Sequence, residues 1–219
     1  MSLDFERARF NMVEQQVRTW EVLDARVLAA LREVRREDFV PPRYRKLAFA
    51  DLALPLDSDV HMMKPVVEGR TLQALAVQSE DSVLEVGTGS GFLTACLAWL
   101  GREVTSVEIN AGLAERARQR LAAAGRTNAK VEIADAVTAF EPNGEFDCVC
   151  VTGAVYAIPE KFKRWLRVGG RLFAVRGEAP AMQAVLVTRV GSDEFREQPL
   201  FETELEYLIN AAPPRRFVL

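Results

Sequence analysis

Residues 84–91 read Leu-Glu-Val-Gly-Thr-Gly-Ser-Gly, and this stretch decides the fold. The apolar residues at 82–86 predict a buried strand, and the apolar run at 92–100 predicts a helix. Glycines at such a turn let the backbone approach a ligand closely, and the helix N-terminus offers free N–H groups and a partial positive charge. We therefore expect a ligand-binding loop between a strand and a helix.

The spacing of this loop favours one class of ligand. Its glycines follow the pattern G-x-G-x-G rather than G-x-G-x-x-G, and Glu85 lies two residues before the first of them. A carboxylate so close to the loop would repel a pyrophosphate, but it would suit a ligand that carries an ammonium group. S-adenosyl-L-methionine is such a ligand, so the sequence predicts this cofactor and disfavours a nicotinamide dinucleotide.

Two further acidic residues follow the next predicted strands. Glu108 ends the second strand and lies 21 residues after Gly87, the separation typical of an acid that accepts hydrogen bonds from ribose hydroxyls. Asp135 follows the third strand, where a carboxylate can accept a hydrogen bond from an adenine amino group. Because parallel strands bring their carboxyl ends to one edge of a sheet, the three acids together predict a site for an adenosyl ligand.

The alternation of strands and helices sets the fold class. Predicted strands lie at 82–86, 103–107, 130–133, 146–151 and 171–175, and predicted helices lie at 65–78, 92–100, 111–124 and 160–167. This order indicates an α/β fold with a parallel sheet that has helices on both faces. A turn is predicted at Gly169-Gly170. The segments 184–190 and 195–200 predict an antiparallel hairpin at the sheet edge.

A helical segment precedes this alternation. Apolar residues recur at helical spacing through residues 4–40, and Asp24 is placed to cap the second of these helices. Residues 43–64 predict irregular structure, and Pro65 suits the first position of the next helix. We therefore expect one compact unit in two parts, an N-terminal segment at 1–64 and a cofactor-binding domain at 65–219.

Composition limits the remaining possibilities. A chain of 219 residues with 49% hydrophobic residues can bury a substantial core, and its net charge of −3 argues against a dedicated nucleic-acid binder. We expect a cytoplasmic protein without membrane contact, because neither a long apolar run nor a signal-like N-terminus is present. Three cysteines and one histidine give thin support for a metal, so we expect buried thiols and no metal site. The oligomeric state stays open.

With these motifs in view, the chain resembles the class I S-adenosylmethionine-dependent methyltransferases and, more narrowly, the protein-L-isoaspartate O-methyltransferase family. The narrower resemblance rests on MVEQQ at 12–16, REDFVP at 36–41, ALPL at 53–56 and RFV at 216–218. It implies a Rossmann-like fold with a mostly parallel, seven-stranded sheet and an N-terminal helical segment. It also implies methylation of the α-carboxyl of L-isoaspartyl residues in damaged proteins, which would be the substrate and partner.

The resemblance also implies roles for individual residues. Glu85 would lie beneath the methionine end of the cofactor, Glu108 would hold the ribose, and Asp135 with the backbone of Ala136 would contact the adenine. The other residues implied at the cofactor site are Gly87, Thr88, Gly89, Gly91 and Ile109. Thr152 would lie near the transferred methyl group, although a threonine that ends a strand needs no such role.

The acceptor side departs from the family pattern. Where the family has G-x-G-Q-T-I-S-Q-P, this chain has Asp-Ser-Asp-Val-His-Met-Met-Lys at 57–64, followed by Pro65. Met63 thus replaces the serine associated with the acceptor carboxylate. A carboxyl group with a reference pKa of ~3.3–3.9 is already ionised near neutrality, so the reaction needs alignment and removal of water rather than a strong base.

This departure leaves two interpretations of the segment. In the first, Lys64 attracts an anionic acceptor and His61 orients it or acts as a base, so that His61, Met63 and Lys64 form the acceptor side of the catalytic site. In the second, Met62 and Met63 pack over the cofactor while His61 and Lys64 face solvent. Transfer to a different acceptor, or a cofactor-binding protein without catalysis, are the alternative functions.

Overall fold

The computed structural model of the chain describes residues 4–56 and 60–214. Seven strands form the main sheet, in the order β5-β4-β3-β6-β7-β8-β9, and two short strands form an antiparallel pair, β1-β2. The strands are β1 (Leu54–Pro55), β2 (His61–Met62), β3 (Ser82–Val86), β4 (Glu103–Glu108), β5 (Ala129–Ile133), β6 (Phe146–Val155), β7 (Leu166–Glu178), β8 (Ala181–Arg189) and β9 (Phe195–Glu202).

The helices alternate with these strands after a helical N-terminal segment. The α-helices are α1 (Phe5–Asn11), α2 (Ala25–Glu33), α3 (Pro65–Leu75), α4 (Phe92–Leu100), α5 (Ala111–Ala123) and α6 (Glu160–Arg164). A π-helical stretch, Met12–Val17, continues α1, and 3-10 turns lie at Arg18–Trp20, Arg36–Asp38 and Pro42–Leu47. The helices begin where the sequence indicates. The Asp24 carboxylate accepts from the backbone N–H groups of Arg26 and Val27, and Pro65 is the first residue of α3.

The predicted fold class is confirmed. Strands β5, β4, β3, β6 and β7 are parallel to their neighbours, whereas β8 pairs antiparallel with both β7 and β9. Two buried apolar clusters lie on the two faces of the sheet. The larger contains residues of the N-terminal segment, α3, α4 and α5, and the smaller contains Phe162 of α6 and Trp165. The sheet is therefore covered on both faces, and its parallel strands end together at one edge.

Several predicted boundaries differ from those in the structure, and three of the differences have a plain physical reason. Helix α6 ends at Arg164 rather than at 167, because Leu166 already pairs with Phe146 as the first residue of β7. Gly169 and Gly170 do not form a turn between elements. They lie inside β7, where the register of its pairing with β6 shifts. Helix α3 stops at Leu75 instead of 78, since the next residue adopts a left-handed conformation.

The expected irregular segment contains more structure than its sequence indicates. Residues 43–64 include most of a 3-10 turn and the β1-β2 pair, which places Leu54 opposite Met62. The three cysteines are buried and unpaired with one another, as predicted: Cys96 on α4, and Cys148 and Cys150 on β6. No helix within the described ranges is both long enough and apolar enough to span a bilayer.

Candidate active site

A cleft of about 770 Å³ opens at the carboxyl ends of the parallel strands β3, β4, β5 and β6. This position is the one where open α/β sheets bind ligands, and the volume lies within the usual range for small-molecule sites. Ten of the predicted site residues line the cleft: His61, Met63, Lys64, Gly87, Gly89, Glu108, Ile109, Asp135, Ala136 and Thr152. Three others, Glu85, Thr88 and Gly91, do not line it.

The glycine loop forms the floor of the cleft. Gly87 has a φ of +96°, and a Cβ added there would lie 2.4 Å from Thr152 Oγ1, so both the backbone conformation and the packing require glycine. The Thr152 hydroxyl lies 2.9 Å from the carbonyl oxygen of Val86 and 2.5 Å from that of Gly87, and donates to this pair. Thr152 therefore supports the loop from β6, and its predicted position near the transferred methyl group stays a prediction.

Glu85 lies beneath the loop, but it does not present a charge to the cleft. Its side chain is fully buried and accepts hydrogen bonds from the hydroxyls of Ser106, at 2.5 Å, and Thr94. Burial raises the pKa of Glu85 to about 8, against the opposing effect of these two hydrogen bonds. Its carboxyl is therefore mostly protonated near neutrality. The prediction that Glu85 repels a pyrophosphate is therefore wrong, because a protonated carboxyl carries no charge.

The Thr88 side chain makes a structural contact, and its predicted contact with the cofactor stays a prediction. The Thr88 hydroxyl is buried and lies 2.5 Å from the hydroxyl of Ser106, which also donates to Glu85. This chain of hydrogen bonds ties the loop to β4. Gly91 begins α4 with a φ of +86°, and a Cβ there would lie 3.2 Å from the side chain of Ala117. Both residues shape the loop from behind rather than from within the cleft.

Glu108 is the best-prepared polar group in the cleft. One carboxylate oxygen accepts from the backbone N–H of Gly89 and the other from that of Asn110, both at 2.9 Å. Since a carboxylate has about four lone-pair sites, two remain for a pair of hydroxyl donors. Ile109 follows directly and is partly exposed, so it offers an apolar surface beside this carboxylate. The arrangement fits a ribose next to a flat ring.

Asp135 already carries a full set of donors. Its carboxylate accepts from the N–H groups of Val137, at 2.8 Å, and Thr138, at 3.2 Å, from the Thr138 hydroxyl, and from the amide of Asn210, at 2.7 Å. Partial burial acts to raise the pKa of Asp135, but these hydrogen bonds outweigh it and lower the pKa below its ordinary value. An adenine amino group can therefore reach this carboxylate only by displacing one donor. Ala136 lies beside it, buried in the cleft wall.

The acceptor-side segment, residues 60–64, forms the opposite wall. The Nδ1 atom of His61 lies 2.6 Å from one carboxylate oxygen of Glu206, and the His61 backbone N–H donates to the other oxygen at 3.2 Å. Met62 and Met63 are buried, whereas Lys64 is exposed at the cleft. The methionines are thus packed in the wall, while His61 and Lys64 line the cleft. The roles of these residues toward an acceptor stay predictions.

Sequence reasoning missed a third wall, formed by residues 204–209. This tail segment runs beside β6, where Ala154 donates its N–H to Glu206 and accepts from Leu208 through its carbonyl oxygen. Alternating acidic and larger side chains at 202–207 were the available signal of an extended segment. From the sequence, Arg215 and Arg216 are predicted either to reach an acceptor carboxylate or to solubilise the tail. Both arginines lie outside the described residues, as does the RFV motif at 216–218.

The residues of the cleft fit S-adenosyl-L-methionine. Gly87 and Gly89, which have no Cβ atoms, leave room for the amino-acid end of the cofactor. The oriented carboxylate of Glu108 lies beside them and can accept hydrogen bonds from the ribose. The described part of the chain holds no group of three or more His, Cys, Asp or Glu side chains arranged for a metal ion.

Comparison with known proteins agrees with this geometry. Residues 7–204 match the family model described as protein-L-isoaspartate(D-aspartate) O-methyltransferase. A protein-L-isoaspartate O-methyltransferase of Rhodopseudomonas palustris is 35% identical over 201 residues, which cover 91% of this chain and 92% of that protein. Its counterpart in Methanoculleus marisnigri is 39% identical over 189 residues, 86% of each chain.

A solved structure shares the fold over nearly the whole chain. It is a Plasmodium falciparum protein described as a protein-L-isoaspartate O-methyltransferase, in complex with S-adenosyl-L-homocysteine. The TM-score is 0.80 at 17% sequence identity, and the match covers 94% of this chain and 99% of that one. The family model matches most of this chain, and the alignments with the two relatives cover most of both sequences. These matches establish the family. This chain belongs to the protein-L-isoaspartate(D-aspartate) O-methyltransferase family.

Proposed function

We propose that this protein is an S-adenosyl-L-methionine-dependent methyltransferase that methylates the α-carboxyl of L-isoaspartyl residues in damaged proteins and peptides. The observation that carries the proposal is the oriented Glu108 carboxylate beside the glycine loop, in a chain of this family. The cofactor, when bound, supplies an activated methyl group. The relatives from Rhodopseudomonas and Methanoculleus, which carry this enzyme's name, support the acceptor.

The residues of the cleft have separate roles in such a reaction. Glu108 binds the ribose hydroxyls, and the loop at Gly87 and Gly89 holds the amino-acid end. The buried side chains of Met62 and Met63 exclude water from one wall. No residue has to remove a proton, because the acceptor carboxyl is ionised near neutrality. Catalysis then consists of holding the acceptor oxygen in line with the methyl group.

Lys64 is the group that binds the acceptor. It is the only lysine or arginine among the described residues that line the cleft, whereas four carboxylates line it: Glu108, Asp135, Glu204 and Glu206. A carboxylate acceptor therefore finds its one ammonium partner there. His61, held by Glu206, borders the same wall and orients the acceptor.

The test is a methyl-transfer assay with labelled S-adenosyl-L-methionine and two peptides that differ only in an isoaspartyl or an aspartyl residue. We expect a methyl ester on the isoaspartyl peptide and background labelling of the other. Binding of S-adenosyl-L-homocysteine, measured by calorimetry, shows whether the cofactor site is intact. An intact site with neither peptide methylated would refute the acceptor assignment.

One observation favours a second candidate, transfer of the same methyl group to a different carboxylate acceptor. Met63 lies where the family has its acceptor serine, and its buried thioether offers no strong hydrogen bond. If isoaspartyl peptides are the acceptor, Met63→Ser restores an orienting bond of roughly 0.5–1.5 kcal/mol and raises activity on them. Unchanged activity, together with another methylated product in a cell extract, would favour the second candidate.

A further inference from the structure

Arg36 is a fully buried arginine at the start of the 3-10 turn Arg36–Asp38. Its three guanidinium nitrogens donate to three separate parts of the chain. Nε donates to the carbonyl oxygen of Ala48 at 2.9 Å, Nη2 to that of Met63 at 2.9 Å, and Nη1 to the carboxylate of Glu68 on α3. The side chain thus holds the backbone of the acceptor-side segment directly.

The same guanidinium also contacts the helix that carries the glycine loop. Its Cζ atom lies 4.7 Å from the ring centroid of Phe92, the first residue of α4 and the neighbour of Gly91. Phe92 is fixed in turn by Phe39, whose ring packs against it with the centroids 5.8 Å apart and an interplanar angle of 67°. Arg36 therefore lies between the acceptor-side segment and the N-terminus of α4.

We propose that Arg36 is a positioning residue for methyl transfer, which sets the distance between the acceptor-side segment and the cofactor loop by holding the Met63 carbonyl. The proposal rests on the proposed function. Met63 is followed by Lys64, so the Arg36 bond also fixes the point from which the acceptor-binding ammonium projects. In a reaction that depends on alignment, a small displacement of this wall lowers the rate strongly.

The chemistry of arginine suits this role. A planar guanidinium directs its donors along fixed lines, so it can satisfy Ala48, Met63 and Glu68 at once, whereas a lysine ammonium provides a single point charge on a flexible stem. Burying such a charge carries a large desolvation cost, and apolar replacements of buried ion pairs are often neutral or stabilising. The buried pair of Arg36 and Glu68 is thus better explained by geometry than by stability.

The test compares Arg36→Lys with a matched control, Arg26→Lys. Arg26 also joins the N-terminal segment to the rest of the chain, donating to the carbonyl oxygens of Val77 at 2.8 Å and Leu100 at 2.7 Å, and neither acceptor lines the cleft. We expect Arg36→Lys to lower kcat for the isoaspartyl peptide by about ten-fold or more, with the Kd of S-adenosyl-L-homocysteine within about two-fold. Arg26→Lys should leave both constants within about two-fold, even at an equal loss of Tm.

Other outcomes of these assays overturn the positioning role. If both variants lower kcat alike, or if Arg36→Lys lowers only the Tm, Arg36 is a stability residue. A large loss of cofactor affinity in Arg36→Lys overturns the proposal as well, because the loop would then have moved with the segment.

A second readout needs no acceptor and so separates this proposal from the proposed function. The chain has five methionines, so ¹³C-methyl labelling gives a small set of signals that can be assigned with Met62→Leu and Met63→Leu. We expect Arg36→Lys to shift the signals of Met62 and Met63 and Arg26→Lys to leave them in place. Unshifted signals in Arg36→Lys would overturn the positioning role, whichever peptide the enzyme methylates.

Glu68→Gln replaces Arg36→Lys if the latter does not fold. The guanidinium keeps its bonds to Ala48 and Met63 but loses its charged partner and part of its fixed orientation. We expect Glu68→Gln to shift the signals of Met62 and Met63. We also expect it to lower kcat, by a smaller factor than Arg36→Lys. If Glu68→Gln changes neither, the proposal fails.

Discussion

At the scale of single residues, we propose that the charge of Lys64 decides which acceptors the cleft can bind. It faces a cleft whose other full charges are carboxylates, and it lies beside the buried Met63. An anionic acceptor would be drawn to this point and repelled elsewhere along the wall. The sequence identified Lys64 as a candidate by its place in the motif, but only the fold shows that no second cation among the described residues shares the cleft.

We predict that Lys64→Gln raises the KM for the isoaspartyl peptide by roughly 10- to 100-fold, since a charge-assisted hydrogen bond contributes about 1.5–3 kcal/mol. Lys64→Arg should retain most of the affinity. Steady-state kinetics measure both effects. Lys46→Gln is the matched control, because it removes an equal charge from an exposed lysine outside the cleft. An equal rise of KM in the two glutamine variants would mean that only the net charge matters.

We expect Glu85 to contribute to the pH dependence of the stability of the fold. Its pKa is raised from 4.5 to about 8 in the folded chain, mainly by burial. Between these values the folded state keeps a proton that the unfolded state has released, so the free energy of unfolding falls as pH rises through this window. Burial raises the pKa of Glu68 too, against the effect of Arg36, and it acts in the same direction.

We predict that Glu85→Gln flattens this decline, because glutamine keeps an acceptor for Ser106 and Thr94 but carries no titrating proton. Urea unfolding of both proteins at about pH 5 and about pH 8 gives the comparison. The variant should gain stability relative to the natural protein at the higher pH. Since Glu68 titrates in both proteins, the difference isolates Glu85, and parallel profiles would show that Glu85 ionises normally.

At the scale of secondary-structure elements, the tail segment at 204–209 ties the two ends of the cleft together. Glu206 holds His61 at the proposed acceptor end of the cleft, and Asn210, directly after the segment, holds Asp135 at the proposed adenine end. Of the four donors to Asp135, only Asn210 comes from outside the local turn. It is therefore the donor that an adenine amino group would displace with the least disturbance of the backbone.

We predict that Asn210→Gly tightens cofactor binding. Breaking a hydrogen bond of about 1 kcal/mol is no longer required, so the Kd of S-adenosyl-L-homocysteine should fall by about five-fold. Glycine suits the site because Asn210 has a φ of +68°. Isothermal titration calorimetry measures the change, with Asn143→Gly in an exposed position as the control. Weaker binding would mean that Asn210 supports the adenine site instead of competing for it.

The elements also show how far sequence patterns reach. The strand and helix around the loop, 82–86 and 92–100, have the predicted bounds, because a strand, a glycine turn and a helix are local signals. The end of α6 is not local: Leu166 joins β7 because Phe146, twenty residues earlier, pairs with it. The early end of α3 could not be predicted from a glycine, because the residue in the left-handed conformation that ends the helix is Ala76.

The site divides in the same way. Glu108 and the cleft-lining glycines were predictable, because their spacing places them at the carboxyl ends of adjacent strands. The protonation of Glu85 and the saturation of Asp135 were not, since both depend on side chains distant in sequence. Ser106 lies 21 residues from Glu85, and Asn210 lies 75 residues from Asp135.

At the scale of the whole molecule, we propose that residues 1–64 and 65–219 form one folding unit. The larger apolar cluster draws on both parts, with Met12 and Leu31 from the first and Leu75, Leu97 and Phe173 from the second. Helix α2 contacts both α3 and α4, so removing the N-terminal segment would expose the apolar faces of these helices to water.

We predict that calorimetric unfolding of the full chain gives a single transition, with equal van't Hoff and calorimetric enthalpies. S-adenosyl-L-homocysteine should raise the Tm of this one transition, because a ligand of the folded state stabilises everything that unfolds with its site. Scans with and without the ligand make the comparison. Two transitions, of which the ligand shifts only one, would show that the N-terminal segment unfolds on its own.

The three buried thiols have a practical consequence. Burial raises the pKa of Cys148 to about 12, despite the nearby Arg171 guanidinium, and also raises the pKa of Cys96 and Cys150. Alkylating reagents attack the thiolate, so we expect these three thiols to resist iodoacetamide near neutrality while the chain is folded. Each modified molecule has opened at least once. The alkylation rate of Cys96 therefore reports how often α4 opens away from the sheet, and the rate of Cys148 and Cys150 reports how often the sheet opens at β6. Neither measurement needs an introduced probe.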